Sequence, residues 1–184
     1  EGNIRSYTPY NPWNIIAENE FVAGGFIWSG VDYLGEAASR ESHGWPNGLF
    51  DICMFEKPRA AYHRAMWNNK PLVSIAFLDP SLDIDHGRDW PKMASHWNLP
   101  RTYFGQVIQV CTITNCEEVE MFMNGKSMGK QKTADFTNNT IIWNIPYRPG
   151  TLEAKGYNDG KEVAAYQLAT SKDTDSLTLT PDRT

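Results

Sequence analysis

Seven runs of alternating apolar and polar residues, separated by glycine-bearing turns, constrain this 184-residue chain more than any other feature. The runs lie near 72–77, 105–114, 118–124, 127–133, 140–145, 150–158 and 162–169, with turn signals at Asn124-Gly125, Arg148-Pro149-Gly150 and Asn158-Asp159-Gly160. A period of two places every other side chain on one face of a strand. Short strands at this spacing predict an immunoglobulin-like sandwich. The same period assigns faces: Val119, Met121 and Met123 point inward with Ile141, Trp143 and Ile145, while Glu118, Glu120 and Phe122 point outward or against a neighbour.

The first 71 residues carry a different pattern. Phe21-Val22-Ala23-Gly24-Gly25-Phe26-Ile27-Trp28 is apolar on both alternating faces and bounded by Glu18-Asn19-Glu20, which predicts a strand covered on both sides, as in a parallel sheet. It is too short to span a membrane. Trp28 ends the run, with Ser29, Asp32 and Tyr33 following at once. The C-terminal end of a parallel strand is where barrel enzymes place substrate contacts. On periodicity alone, Trp28 as a core aromatic and Asp32 as a cap is the better reading. Asn11-Pro12-Trp13 opens a short helix to about Glu18, and Pro58 opens a second one to about Asn68, with Ala61, Tyr62, Ala65 and Met66 as its inner face.

Composition excludes some classes of partner. The net charge is -5 and the 17 Lys and Arg are scattered, so no basic track for a nucleic acid exists. No signal peptide or membrane segment is visible, and the start at Glu1 in polar loop sequence is that expected of an interior piece of a longer protein. Cys53, Cys111 and Cys116 show no metal-ligand spacing and read as buried free thiols. Asp83-Ile84-Asp85-His86-Gly87-Arg88-Asp89 alternates carboxylates as a calcium loop does, but Gly87 stands where a ligand belongs and no Glu closes the loop. A loop whose Arg88 pairs with its own aspartates is the better reading. His96-Trp97-Asn98 reads as packing at a domain junction, whereas an exposed Trp97 would point to a ligand contact instead.

Gly24 to Glu36, GGFIWSGVDYLGE, resembles the last barrel strand of glycoside hydrolase family 2, the family of the large bacterial β-galactosidases. The resemblance continues through Gly44-Trp45-Pro46-Asn47-Gly48-Leu49-Phe50-Asp51, through Lys57-Pro58-Arg59, and into Val119 to Gly129, VEMFMNGKSMG, which is similar to a hairpin of the sandwich that follows the barrel. It implies an α/β plus all-β chain. Residues 1–71 would be the last βα unit of a (β/α)8 barrel, 72–171 an immunoglobulin-like sandwich, and 172–184 a linker and the start of a further sandwich.

The resemblance also implies chemistry. Retaining glycosidases set two carboxyl groups roughly 5 Å apart across the scissile bond, and in this family both Glu residues lie upstream of the strand that contains Trp28. No catalytic residue is therefore assigned. Glu1 is the single candidate by spacing, and the Gly2-Asn3-Ile4-Arg5 after it does not resemble the nucleophile strand end. By resemblance Trp28 forms the floor of the sugar site, Asp32 accepts sugar hydroxyls or orients Trp28, and Asn47 sits in the loop where some β-galactosidases hold sodium. Gly44 stands where an aromatic residue is usual, which weakens the ion; as a turn residue before Gly48, Asn47 needs no ligand at all.

The expectations are therefore a parent enzyme that removes a terminal β-linked sugar, first of all β-galactose, and an isolated piece that is inactive. No organic cofactor is implied, and a Na or Mg ion only in the parent. The partner is a carbohydrate, with no nucleic acid or membrane, and the compartment is the periplasm or exterior of a bacterium. One βα unit cannot close a barrel, so self-association of the piece is expected. The alternative is a non-catalytic carbohydrate-binding or structural sandwich.

Overall fold

The alternation of burial along β6 (Glu118–Met123) shows how the main body is built: Val119, Met121 and Met123 are buried, and the residues between them are not. In this computed structural model, which describes residues 16–36, 40, 43–78, 93–136, 138–172, 176 and 178–182, eight strands form two antiparallel sheets. One has the order β4 (Met93–Ala94), β3 (Val73–Leu78), β5 (Val107–Thr114), β8 (Thr140–Pro146). The other has the order β10 (Lys161–Ala169), β9 (Thr151–Asn158), β6, β7 (Lys126–Lys132). Their inner faces share one core that joins Ile75, Phe77, Val110, Ile141, Trp143 and Ile145 to Val119, Met121, Leu152 and Ala154. The inward assignments made from the period are all buried.

Turn chemistry fixes the register of the second sheet. Asn124 and Gly125 both take positive φ, 50° and 77°, and Asp159 and Gly160 do the same at 50° and 72°. Two successive left-handed residues match the twist of the flanking strands, so β6–β7 and β9–β10 are tight hairpins.

Trp97 is a correction. It is neither at a domain junction nor on the surface but wholly buried in the core. Its Nε1–H donates to the Arg148 carbonyl at 3.1 Å, and its ring meets Phe77 and Tyr147 edge-on. An indole pays for burial only when its N–H finds an acceptor, and the β8–β9 connection supplies one.

Helix α1 (Pro58–Trp67) begins with Pro58 in its first turn, where the missing N–H costs nothing. Ala61, Tyr62 and Ala65 pack on Ile113 of β5, with Met66 and Leu72 beside them. The connection from helix to sheet is pinned by Asn115, whose Oδ1 accepts the Leu72 N–H at 2.7 Å while Nδ2 donates to the Asn68 and Lys70 carbonyls at 2.8 and 2.9 Å. The helix therefore has a defined seat on the outer face of the first sheet.

Ahead of α1 the sequence expectation fails in part. Of the first predicted helix the described residues include 16–18, which are helical. Phe21 to Trp28 forms no strand: it pairs with no ladder, and Phe21, Phe26 and Trp28 are exposed. A strand apolar on both faces needs neighbours on both sides, and none of the described residues provides them. What pairing exists comes later, between β1 (Tyr33–Leu34) and β2 (Gly44–Trp45) and in a parallel bridge of Val31 to Phe50. Cys111 and Cys116 are buried as expected, with burial pushing the Cys111 thiol up to about 12. Cys53 is exposed, because it lies in a turn capped by Asp51, whose Oδ1 accepts the Cys53 and Phe55 N–H groups. The 83–89 loop and Glu1 lie outside the described residues.

Candidate functional site

The three residues singled out from sequence, Trp28, Asp32 and Asn47, converge on one hydrogen-bonded rim. Ser29 N–H donates to the Asn47 carbonyl, Leu49 N–H to Ser29, Phe50 N–H to Gly30 and Asp32 N–H to Phe50, at 2.9–3.3 Å. These bonds lay 29–32 alongside 47–50. Gly48 makes the approach possible: a Cβ there would fall 2.2 Å from the Asp32 nitrogen, so any larger residue forces the two segments apart. Sequence reading saw in Gly48 only a turn.

Trp28 projects from this rim with 71% of its surface exposed. Its Nε1–H donates to the Tyr33 hydroxyl at 3.2 Å, that hydroxyl donates to Glu36 Oε2 at 3.2 Å, and the two rings meet edge-on. The indole edge is thus tethered while its face is open, the arrangement an apolar sugar face needs. The Trp28–Ser29 peptide is cis.

Asp32 is turned inward. Its Oδ1 accepts the Gly48 N–H at 2.7 Å and the Lys57 ammonium at 2.6 Å. Lys57 Nζ also donates to the Pro46 carbonyl at 3.1 Å. The cationic position beside Asp32 and Pro46 is therefore filled by a side chain, and these oxygens do not fit a metal ion as well. Among the described residues no three His, Cys, Asp or Glu side chains cluster in a way that would hold one. Lys57 and Tyr33 are the site residues that sequence reasoning missed; Lys57 stands in the Lys57-Pro58-Arg59 motif that opens the helix, which gives it no role at the rim.

The sandwich offers a different surface. Tyr157 is covered by Lys130 Nζ, 3.6 Å from its ring centroid, and Phe122 is half-buried with Lys155 nearby. Among the described residues of the sandwich, Phe104 is the one exposed aromatic side chain. No described helix is long and apolar enough to cross a membrane.

Fold and rim together define a two-sheet β domain carrying, on the helix side, a short aromatic-bearing segment. Residues 105–164 match the model of a domain of unknown function, DUF4982. The chain is 30% identical over 175 residues to the β-galactosidase BoGH2A of Bacteroides ovatus, and 33% identical over 171 residues to a Formosa agariphila protein provisionally named a β-glucuronidase. These alignments cover 92% and 90% of the chain but only 18% and 15% of the relatives. A crystal structure of a glycosyl hydrolase family 2 member from Bacteroides cellulosilyticus superposes with a TM-score of 0.75 at 33% identity, covering 93% of this chain and 22% of that one. The chain belongs to glycoside hydrolase family 2, and it spans less than a fifth of the length of these two curated relatives.

Proposed function

We propose that this chain is part of a retaining β-glycosidase that removes a terminal β-linked sugar, β-galactose in the first instance. In this reading, residues 1–71 are the closing βα unit of a (β/α)8 barrel, 72–171 an immunoglobulin-like sandwich, and 172–184 a linker and the start of another domain. The carrying observation is the rim: Trp28 stands open beside a segment that Asp32, Gly48 and Asn47 hold in place. Trp28 is the floor under the sugar, Asn47 lies in the loop beside it, and Asp32 acts by fixing the loop that presents them. The reacting carboxylate pair comes from elsewhere in the parent, so the 184-residue chain alone has no turnover. The setting is the periplasm or exterior of a bacterium.

A non-catalytic sugar-binding sandwich would need open, coplanar aromatics on the sheets, and the covered Tyr157 and half-buried Phe122 do not supply them. The exposed Phe21, Phe26 and Trp28 favour self-association of the isolated chain.

The deciding experiment titrates galactose and glucuronic acid against the chain while following tryptophan emission, with Trp28→Ala as control. A galactose response that disappears in Trp28→Ala is the expected result. A response that survives the substitution moves the sugar contact to the sandwich and overturns the reading. Separately, hydrolysis of a chromogenic β-galactoside by the chain above the buffer rate overturns its predicted inactivity.

A further inference from the structure

The rim has no strand pairing upstream of Ser29 among the described residues, so its shape has to be fixed from another direction. Lys57 meets it on three sides. Its N–H donates to the Leu49 carbonyl at 2.9 Å, its Nζ donates to Asp32 Oδ1 and to the Pro46 carbonyl, and its own carbonyl accepts the Ala60 N–H at 2.9 Å as α1 begins. One residue thus ties the Trp28–Tyr33 segment, the 46–49 loop and the helix together. The ion pair is shielded, with the Lys57 and Asp32 side chains 26% and 13% exposed, so water competes for it far less than for an open surface pair.

The helix in turn is seated on the sandwich by Ala61, Tyr62 and Ala65 against Ile113, and held at its far end by Asn115. We propose that Lys57 is a positioning residue through which the sandwich sets the geometry of the Trp28–Asn47 rim. The proposal rests on the reading of that rim as a sugar wall and deepens it: the sandwich shapes the pocket from outside without touching the sugar. Lys57 itself contacts no substrate and acts by holding Asp32 and the Pro46 carbonyl.

The test replaces Lys57 with Met, which keeps the stem and removes the ammonium, and with Arg, which keeps the charge and the donors. Amide hydrogen exchange is read at Asp32, Gly48 and Phe50 and, as an internal control, at Val119 and Ala154. The chain carries 5-fluorotryptophan so that the Trp28 resonance reports the rim. Lys57→Met is expected to speed rim exchange at least tenfold and shift the Trp28 resonance while the core amides stay unchanged, with Lys57→Arg restoring both. Rim exchange at the parental rate, or equal acceleration of the core amides, overturns the clamp.

Asn115→Ala tests the sandwich's share. It leaves Lys57 intact, and rim exchange is expected to rise by a smaller factor, threefold or more. An unchanged rim overturns the link to the sandwich. Galactose added to the unsubstituted fluorinated chain separates the two readings. A silent Trp28 resonance sinks the sugar wall, and the exchange data still decide the clamp.

Discussion

The two sides of α1 treat their indoles in opposite ways. In the sandwich, Trp97 and Trp143 are buried and each N–H is satisfied, one by the Arg148 carbonyl and the other by Thr112 Oγ1. In the segment ahead of the helix, Trp28 lies open with Phe21, Phe26 and Phe55, all of them exposed. Similar hydrophobic content therefore yields a core in one region and a surface in the other. The difference lies in partners: two sheets face each other across the first set of residues, and nothing described faces the second. Exposed apolar side chains gathered in one segment mark a surface made to be covered.

That contrast is broken most sharply by Trp97→Ala. Removing a wholly buried indole leaves a large cavity and orphans the Arg148 carbonyl, for an expected loss of about 3–5 kcal/mol. Urea unfolding followed by circular dichroism measures it. A loss below about 1 kcal/mol would mean that the sandwich core is not the cooperative unit.

A smaller effect is expected at the border between the regions, where His63 of α1 is buried and neither ring nitrogen has a hydrogen-bond partner among the described residues. Burial, with the nearby Arg59 charge, lowers its pKa from 6.5 to about 4. Between these values the unfolded chain binds the proton more readily than the folded one, so stability falls as pH drops from 6.5 toward 4 and is fully present above 6.5. The loss is of order 2–3 kcal/mol. Urea midpoints at pH 7 and pH 4 should differ more for the parent than for His63→Leu, and an equal drop in both proteins would move the acid sensitivity elsewhere.

The same contrast explains what the sequence disclosed. The strands from β5 to β10 and helix α1 were legible to within two residues at each boundary, because their periods and the Asn124-Gly125 and Asp159-Gly160 turns are local signals. Phe21 to Trp28 pairs with no described strand, because a period describes a side-chain pattern and not the neighbours that complete it. Trp97 sits in an aperiodic stretch, and its burial depends on a carbonyl 51 residues away. At the site, motif resemblance brought out Trp28, Asp32 and Asn47. Lys57 meets Asp32 across 25 residues of chain, and the close approach at Gly48 has no local signature, so neither could be read before the backbone was in place.

The smallest expected effect is the one that most sharpens the contrast. Trp28→Ala removes as large a side chain as Trp97→Ala, yet from a ring that is 71% exposed and held by one hydrogen bond to Tyr33. Exposed substitutions away from buried features stay within about 0.5 kcal/mol, so the urea midpoint should barely move while any sugar-dependent tryptophan signal is lost. If Trp28→Ala instead costs more than about 2 kcal/mol, the indole is covered in solution, most simply by a second copy of the chain. In that case sedimentation velocity should show a dimer that the substitution dissociates. With no such cost, the open indole is left with a functional rather than a packing role.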